Sequence, residues 1–261
     1  VEISVMPGTL NVYVLPKLVE PKELAGGTAV IIDVLRSTTT IVHALAAGAR
    51  EVIPCAEVEE ARQMAAQWPS DEVLLGGERG GLAVPGFDLG NSPDDYTADR
   101  LDGKTLIITT TNGTRAMAHA RTAAQIFLGA FVNISALCEK LQGDMAIHIL
   151  CSGTDGQYSE DDILLAGMLV DRLQRRDGQR YMLNAQAITA QETWLHAFPL
   201  PLVLGAETLE PERLAKALRN SPGGRNLVEL GLDEDILTAA RIDRFAIVPE
   251  LDPATFRIHG E

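Results

Sequence analysis

The sequence predicts an α/β protein of three layers, a mainly parallel or mixed sheet between helices, with a helical carboxyl-terminal portion packed onto it. Three observations carry that expectation. Short β-branched runs alternate with longer runs of helical period across residues 28–175. Such alternation places strands side by side and helices on the faces. From about residue 177 the pattern turns mainly helical. The composition, 46% hydrophobic and 22% charged, lies near the globular average and leaves disorder out. With 261 residues and no internal repeat or flexible linker, one domain over 1–261 is expected.

In chain order, Thr28–Asp33 reads as a buried strand and Ser37–Ala47 as the helix that follows it. Glu51–Pro54 is a short strand. Val58–Gln67 is a helix stopped by Trp68-Pro69. Glu72–Gly76 is a strand entering a long Gly/Pro-rich segment. Lys104–Thr110 is a strand and Thr114–Arg121 a helix; Gln125–Gly129 and Ile134–Leu141 repeat the pair. Met145–Leu150 is a strand and Asp161–Arg175 a strongly periodic helix. Phe245–Val248 closes as a further strand.

Charge and side-chain inventory narrow the function classes. The formal charge of −14, from 36 acidic against 22 basic residues, repels nucleic acid and anionic lipid. The longest apolar runs, such as Ala29–Ile32 and Met145–Cys151, fall far short of the roughly 20 residues a membrane helix needs. A soluble, cytoplasmic protein with no nucleic-acid or membrane partner is expected. Three cysteines without a C-x-x-C pair argue against a disulfide framework, and five scattered histidines argue against zinc.

In open α/β sheets, ligands bind at the carboxyl ends of the strands. Four strand ends here carry dense polar clusters. Asp33 closes an apolar strand, and Arg36, Ser37 and Thr38 open the next helix, as an anion site or as plain capping. Gly76–Gly81 holds Glu78 and Arg79 among glycines, and Asn91 follows in a second glycine-rich stretch. Thr110, Thr111, Asn112, Gly113 and Arg115 join a strand to a helix. Cys151, Ser152 and Gly153 run toward Glu160, Asp161 and Asp162, which either complement a helix dipole or offer hard oxygens to Mg²⁺.

Several phosphate chemistries fail on sequence. There is no P-loop and no G-x-G-x-x-G after a strand. The C-x5-R signature fails at Gln157, Ala61 and Asp144, and D-x-D fails at Leu35. Cys151 reads as a small buried residue rather than a nucleophile.

The runs IIDVLRSTTT (31–40), GERGG (77–81), PGFDLGNSP (85–93), TTTNGTRA (109–116), CSG (151–153) and SEDDILLAG (159–167) occur in this order. Together they resemble the 2-phosphosulfolactate phosphatase family. SPGGRNLVELGLDEDI (221–236) and DRFAIVPEL (243–251) are similar to its carboxyl-terminal pattern. The resemblance implies an Mg²⁺-dependent phosphatase that hydrolyses 2-phospho-3-sulfolactate to 3-sulfolactate and phosphate, a step of coenzyme M biosynthesis. One departure is Asp161-Asp162, where Glu-Asp is expected; both are hard ligands.

On this reading Asp33, Arg36, Glu78, Arg79 and Asn112 are the expected catalytic residues. Ser37, Thr38, Asn91, Thr110, Thr111, Gly113, Arg115, Ser152 and Gly153 are expected to bind a small anionic substrate. A subset of Asp33, Glu78, Asp161 and Asp162 would hold Mg²⁺. A phosphatase for another small phosphorylated acid, and a non-catalytic binder of phosphorylated metabolites, are the competing readings. Asp33, Glu78, Asn112 and Ser152 are expected in one crevice, with metal-activated water preferred over a phospho-Asp33 or a covalent Cys151 or Ser152 route. Trp194, Leu195, Phe198 and Leu200, if exposed, would favour a homodimer.

Overall fold

Thr28–Ile32 (β2) shows how the strands divide the interior. Its side chains alternate across the sheet. Ala29 and Ile31 enter one apolar core, while Val30 and Ile32 enter another on the opposite face. A fully apolar strand is what burial on both faces demands. The computed structural model describes residues 7–175, 181–198 and 209–260.

The remaining strands are β1 (Gly8–Tyr13), β3 (Glu51–Pro54), β4 (Val73–Arg79), β5 (Leu82–Ala83), β6 (Thr105–Thr109), β7 (Gln125–Gly129), β8 (Ala146–Cys151), β9 (Tyr181–Leu183), β10 (Pro249–Leu251) and β11 (Ile258–Gly260). The helices are α1 (Ser37–Ala46), α2 (Val58–Ala65), α3 (Ala98–Leu101), α4 (Gly113–His119), α5 (Ile134–Lys140), α6 (Glu160–Arg175) and α7 (Ala185–Ala197). They continue with α8 (Pro211–Leu218), α9 (Pro222–Glu229) and α10 (Asp233–Ala239).

The sheet runs β5-β4-β6-β3-β11-β10-β7-β2-β8-β1-β9. It consists of two parallel blocks. In one, β4 and β3 flank β6; in the other, β7, β2, β8, β1 and β9 lie in parallel neighbourhood. The antiparallel hairpin β10–β11 stitches them together. Glu250 registers with Phe127 of one block and Ile258 with Val52 of the other.

Helices α1 and α4 lie in the core that both blocks share. Ile41, Ala44 and Leu45 of α1 and Ala116 and Met117 of α4 pack with Ile31, Leu106, Ile108, Ile126 and Leu128. That shared core carries the carboxyl end of β2 toward that of β6, although four strands separate them in the order. On the other face of the larger block, α5–α7 form a core with β8 that also takes Leu214, Leu218, Leu227 and Ile236 of the carboxyl-terminal helices.

The expected α/β architecture with its packed helical end is therefore present, and the structure corrects three details. Phe245–Val248 is not a strand: Phe245 donates its amide to the Val132 carbonyl and packs edge-on against His43, and pairing starts only at Pro249. The strands β1, β9, β10 and β11 were not expected. β1 carries Asn11 at mid-strand, and β10 and β11 contain Pro249, Glu250, His259 and Gly260, so tertiary pairing rather than propensity specifies them. Trp194 and Phe198 are buried against each other in the larger core rather than exposed, and Leu195 is half-buried against it; Leu200 lies outside the described residues.

Candidate active site

Asp33 stands at the carboxyl end of β2, where the sheet ladder stops and α1 begins. The Thr38 hydroxyl fixes the turn, contacting the carbonyls of Asp33 and Gly129 at 2.9 and 2.7 Å. Thr38 is fully buried in that role and does not line the crevice described below. The Asp33 carboxylate accepts from the Ser37 amide through Oδ1 at 3.3 Å. No hydrogen bond from the described residues reaches Oδ2. A Cβ on Gly113 would lie 2.3 Å from the Ser37 hydroxyl and 2.8 Å from Asp33 Oδ2. Glycine at 113 therefore lets α4 close against this carboxylate.

Burial and the neighbouring Asp161 push the Asp33 carboxyl up to about 7, with Glu78 adding to the shift and Arg36 opposing it. A carboxylate repelled by two others and holding an uncommitted oxygen is suited to a cation or a proton.

Arg36 is 4% exposed and held from behind. Nη1 donates to Asp235 of α10 at 2.6 Å and to Ser92 at 3.2 Å; Nη2 donates to the Gly81 carbonyl at 2.6 Å. Ser92 completes the network by donating to Asp235 at 2.8 Å. A guanidinium has five N–H donors, so this anchoring leaves donors for a ligand while fixing the plane.

Glu78 ends β4 and accepts from the Thr111 amide at 2.7 Å and the Gly81 amide at 2.8 Å, one on each oxygen. It thereby ties the glycine-rich loop to the end of β6. Gly77 permits this closeness, because its φ is +139° and a Cβ there would overlap the Thr109 backbone. Arg79 points elsewhere. It donates to the carbonyls of Glu78 and Ala56 and to the Thr109 hydroxyl, and it does not line the crevice.

These ends enclose a tight crevice of about 60 Å³. Asp33, Arg36, Ser37, Glu78, Asn91, Thr110, Thr111 and Asn112 line it, as do Thr154 and Asp155 after β8. The space suits one tetrahedral anion rather than a nucleotide, since pockets for larger ligands span roughly 300–1,000 Å³. Asn91 Oδ1 and Thr111 Oγ1 are buried without a hydrogen-bond partner. Buried polar atoms are normally satisfied, so two orphans on one crevice wall mark where a ligand or water belongs.

The fourth cluster divides. Ser152 lies outside the crevice and lines a second cavity that shares Asn112 as a wall, together with Arg115. Asp162 accepts from the Val34 amide and the Gly153 amide, both at 2.9 Å, and pins the ends of β2 and β8 together. Asp161 accepts from Ser159, with Ser221 and the Leu35 amide also bonded to it. Burial raises both carboxyls, Asp162 further because Asp161 and Asp33 repel it. Gly153 sits at φ +68° and donates to Asp162. Cys151 is wholly buried and its thiol is pushed well above the ordinary range, which leaves no thiolate for attack.

Among the described residues no three His, Cys, Asp or Glu side chains form a ready metal cage. Mg²⁺ needs only one or two carboxylates when water and phosphate oxygens complete its shell. The uncommitted Asp33 oxygen, mutual carboxylate repulsion and Glu78 on the same wall fit that arrangement.

Sequence reasoning missed Leu35, Gly223, Asn226 and Leu227 on the crevice wall, and Asp235 behind Arg36. Four of these five lie in the run 221–236, whose similarity to the family was noticed without any role being given to its residues.

The chain matches, over residues 13–253, the family model described as 2-phosphosulpholactate phosphatase. A probable 2-phosphosulfolactate phosphatase of Symbiobacterium thermophilum is 38% identical over 229 residues, covering 87% of this chain and 92% of that one. A protein of the same description from Thermotoga maritima is 38% identical, covering 88% and 91%. One from Clostridium novyi is 37% identical, covering 89% and 92%. No described helix is long and apolar enough to cross a membrane.

Proposed function

The chain belongs to the 2-phosphosulpholactate phosphatase family, and from that premise we propose that it hydrolyses 2-phospho-3-sulfolactate to 3-sulfolactate and phosphate with Mg²⁺ as cofactor. The observation that carries the reading is the crevice itself: a fixed guanidinium, two carboxylates and two orphaned polar atoms around a space for one phosphoryl group.

Asp33 and Glu78 would hold the cation. Bound there, Mg²⁺ supplies charge neutralisation at the phosphoryl oxygens and acidifies the attacking water. The chain's own side chains do the rest. Arg36, locked by Asp235 and Ser92, binds the equatorial phosphoryl oxygens without reorganising, the condition under which electrostatic stabilisation is strongest. Ser37 and Thr110, whose hydroxyls lie 3.4 Å apart, and Thr111 offer further donors on the same wall. The unpartnered Asn91 Oδ1 accepts a hydrogen bond from the attacking water and orients it for in-line displacement, and the proton that the water gives up ends on the departing alkoxide oxygen. Water attack needs no side-chain nucleophile, in keeping with the inert Cys151 and with a Ser152 that lies off the crevice.

Release of phosphate from 2-phosphosulfolactate, measured with Mg²⁺ and after chelation, tests the proposal. Turnover that requires the metal supports it. Efficient hydrolysis of unrelated phosphomonoesters with no preference for this substrate would shift the assignment to another phosphorylated acid.

A further inference from the structure

We infer that the cavity beside the crevice is a second anion subsite, in which Lys17, Arg115 and Ser152 hold the carboxylate or sulfonate end of the substrate and so set specificity. The inference rests on the phosphatase reading for the position of the phosphoryl group. It does not rest on the identity of the acid.

Three observations lead here. First, the cavity measures about 300 Å³ and shares Asn112 with the crevice, so the two spaces lie on either side of that one residue. The loop after β8 serves both, with Thr154 and Asp155 on the crevice and Ser152 and Gly156 on the cavity. Second, its charge runs against the rest of the molecule. The chain has 36 acidic and 22 basic residues, yet Lys17 and Arg115 line this cavity and no carboxylate does. Arg115 enters no ion pair or side-chain hydrogen bond among the described residues, and Lys17 donates only to the Gly156 carbonyl at 3.1 Å. Third, Ser152, a residue of the cavity wall, is 6% exposed and its Oγ is buried with no hydrogen-bond partner. A buried unpartnered hydroxyl beside two cations that have no carboxylate partner is a donor set for an oxyanion.

The division of labour follows from chemistry. A phosphoryl group needs fixed donors because its charge changes during reaction. The far anion keeps its charge throughout, so long flexible cations that bind it equally in ground and transition states suffice. Such contacts act on affinity and on the choice among phosphorylated acids.

The test uses calorimetric titration, in Mg²⁺ buffer, with two probes: 3-sulfolactate, which has a carboxylate and a sulfonate but no phosphoryl group, and inorganic phosphate. Lys17→Ala and Arg115→Ala should each weaken sulfolactate roughly tenfold or more, the worth of one charged hydrogen bond. Ser152→Ala should weaken it roughly threefold. Phosphate affinity should stay within about twofold, and Lys17→Arg should retain sulfolactate binding. The subsite is overturned if sulfolactate affinity ignores Lys17 and Arg115, if both probes weaken together, or if the wild type shows no saturable sulfolactate binding. Turnover of 2-phosphosulfolactate by the wild type is measured alongside. Its absence with Lys17-dependent sulfolactate binding sinks the proposed activity alone. Its presence with Lys17-independent binding sinks the subsite alone.

Discussion

Two buried acidic pairs, Asp33 with Glu78 at the crevice and Asp161 with Asp162 at the start of α6, look alike in sequence and behave differently in the fold. All four carboxylates are more than nine-tenths buried. Asp162 spends both oxygens on backbone amides that join β2 to the loop after β8. Asp33 keeps an oxygen uncommitted beside the space a ligand would fill. Glu78 stands between them, tied to two amides yet lining the crevice. Burial and local charge density do not separate a reactive carboxylate from a structural one. A place on the crevice wall does: Asp33 and Glu78 have one, and Asp162 has none.

The largest effect that sharpens this contrast is on turnover. Asp33→Asn should lower kcat/KM about a thousandfold, the scale of losing a principal electrostatic group. Its thermal unfolding should be unchanged or later, because a carboxyl repelled by Asp161 and Glu78 is removed. Steady-state kinetics and thermal melts check both halves, and near-normal turnover would remove Asp33 from the mechanism.

Asp162→Ala should do the reverse. Two buried amides lose their acceptor, at about 1–3 kcal/mol each. Denaturant unfolding should therefore show a loss of about 3 kcal/mol, with activity falling only as the folded fraction falls. Full stability with abolished turnover would place Asp162 with Asp33 and dissolve the comparison.

A smaller effect concerns pH. Asp33 titrates near 7 in the fold, against roughly 3.9 in an unfolded chain. The folded state thus holds a proton that the unfolded state has released, and stability falls as pH rises from about 4 through about 7. Asp161 and Asp162 are shifted in the same direction. In chelator the protein should melt later at pH 5 than at pH 8, by an amount worth about 2 kcal/mol. Asp33→Asn should flatten the slope, and Mg²⁺ at pH 8 should raise the melting point of the wild type more than that of the variant. A wild-type slope of the opposite sign would refute the burial argument.

What was legible in the sequence follows the range of the interactions involved. β2, β6 and β8 are strongly apolar runs bounded by polar turns, and their positions could be read locally. So could the strand-end location of Asp33, Glu78 and Asn112. Thr38, Arg79 and Gly113 had the right composition for a site, but their roles are decided by neighbours in space: the Gly129 carbonyl, the Thr109 hydroxyl and the Ser37 side chain. Lys17 gave no local signal, since a lone lysine after a proline is ordinary. Asp235 lies 199 residues from the arginine it anchors. Only the topology brings such pairs together.

The hairpin β10–β11 gives the order of assembly a direction. During synthesis the ends of β2, β4 and β6 emerge first, but among the described residues the two blocks are joined edge to edge only by residues 249–260. Asp235 and the α9 wall of the crevice also arrive late. Contacts of such sequence separation close slowly. The nascent chain therefore carries its carboxylates for most of its synthesis without a working crevice, and acquires one as its last strands zip the blocks together. A chain cut before Pro249 would keep every acidic side chain of the site and lose the seam that brings them face to face.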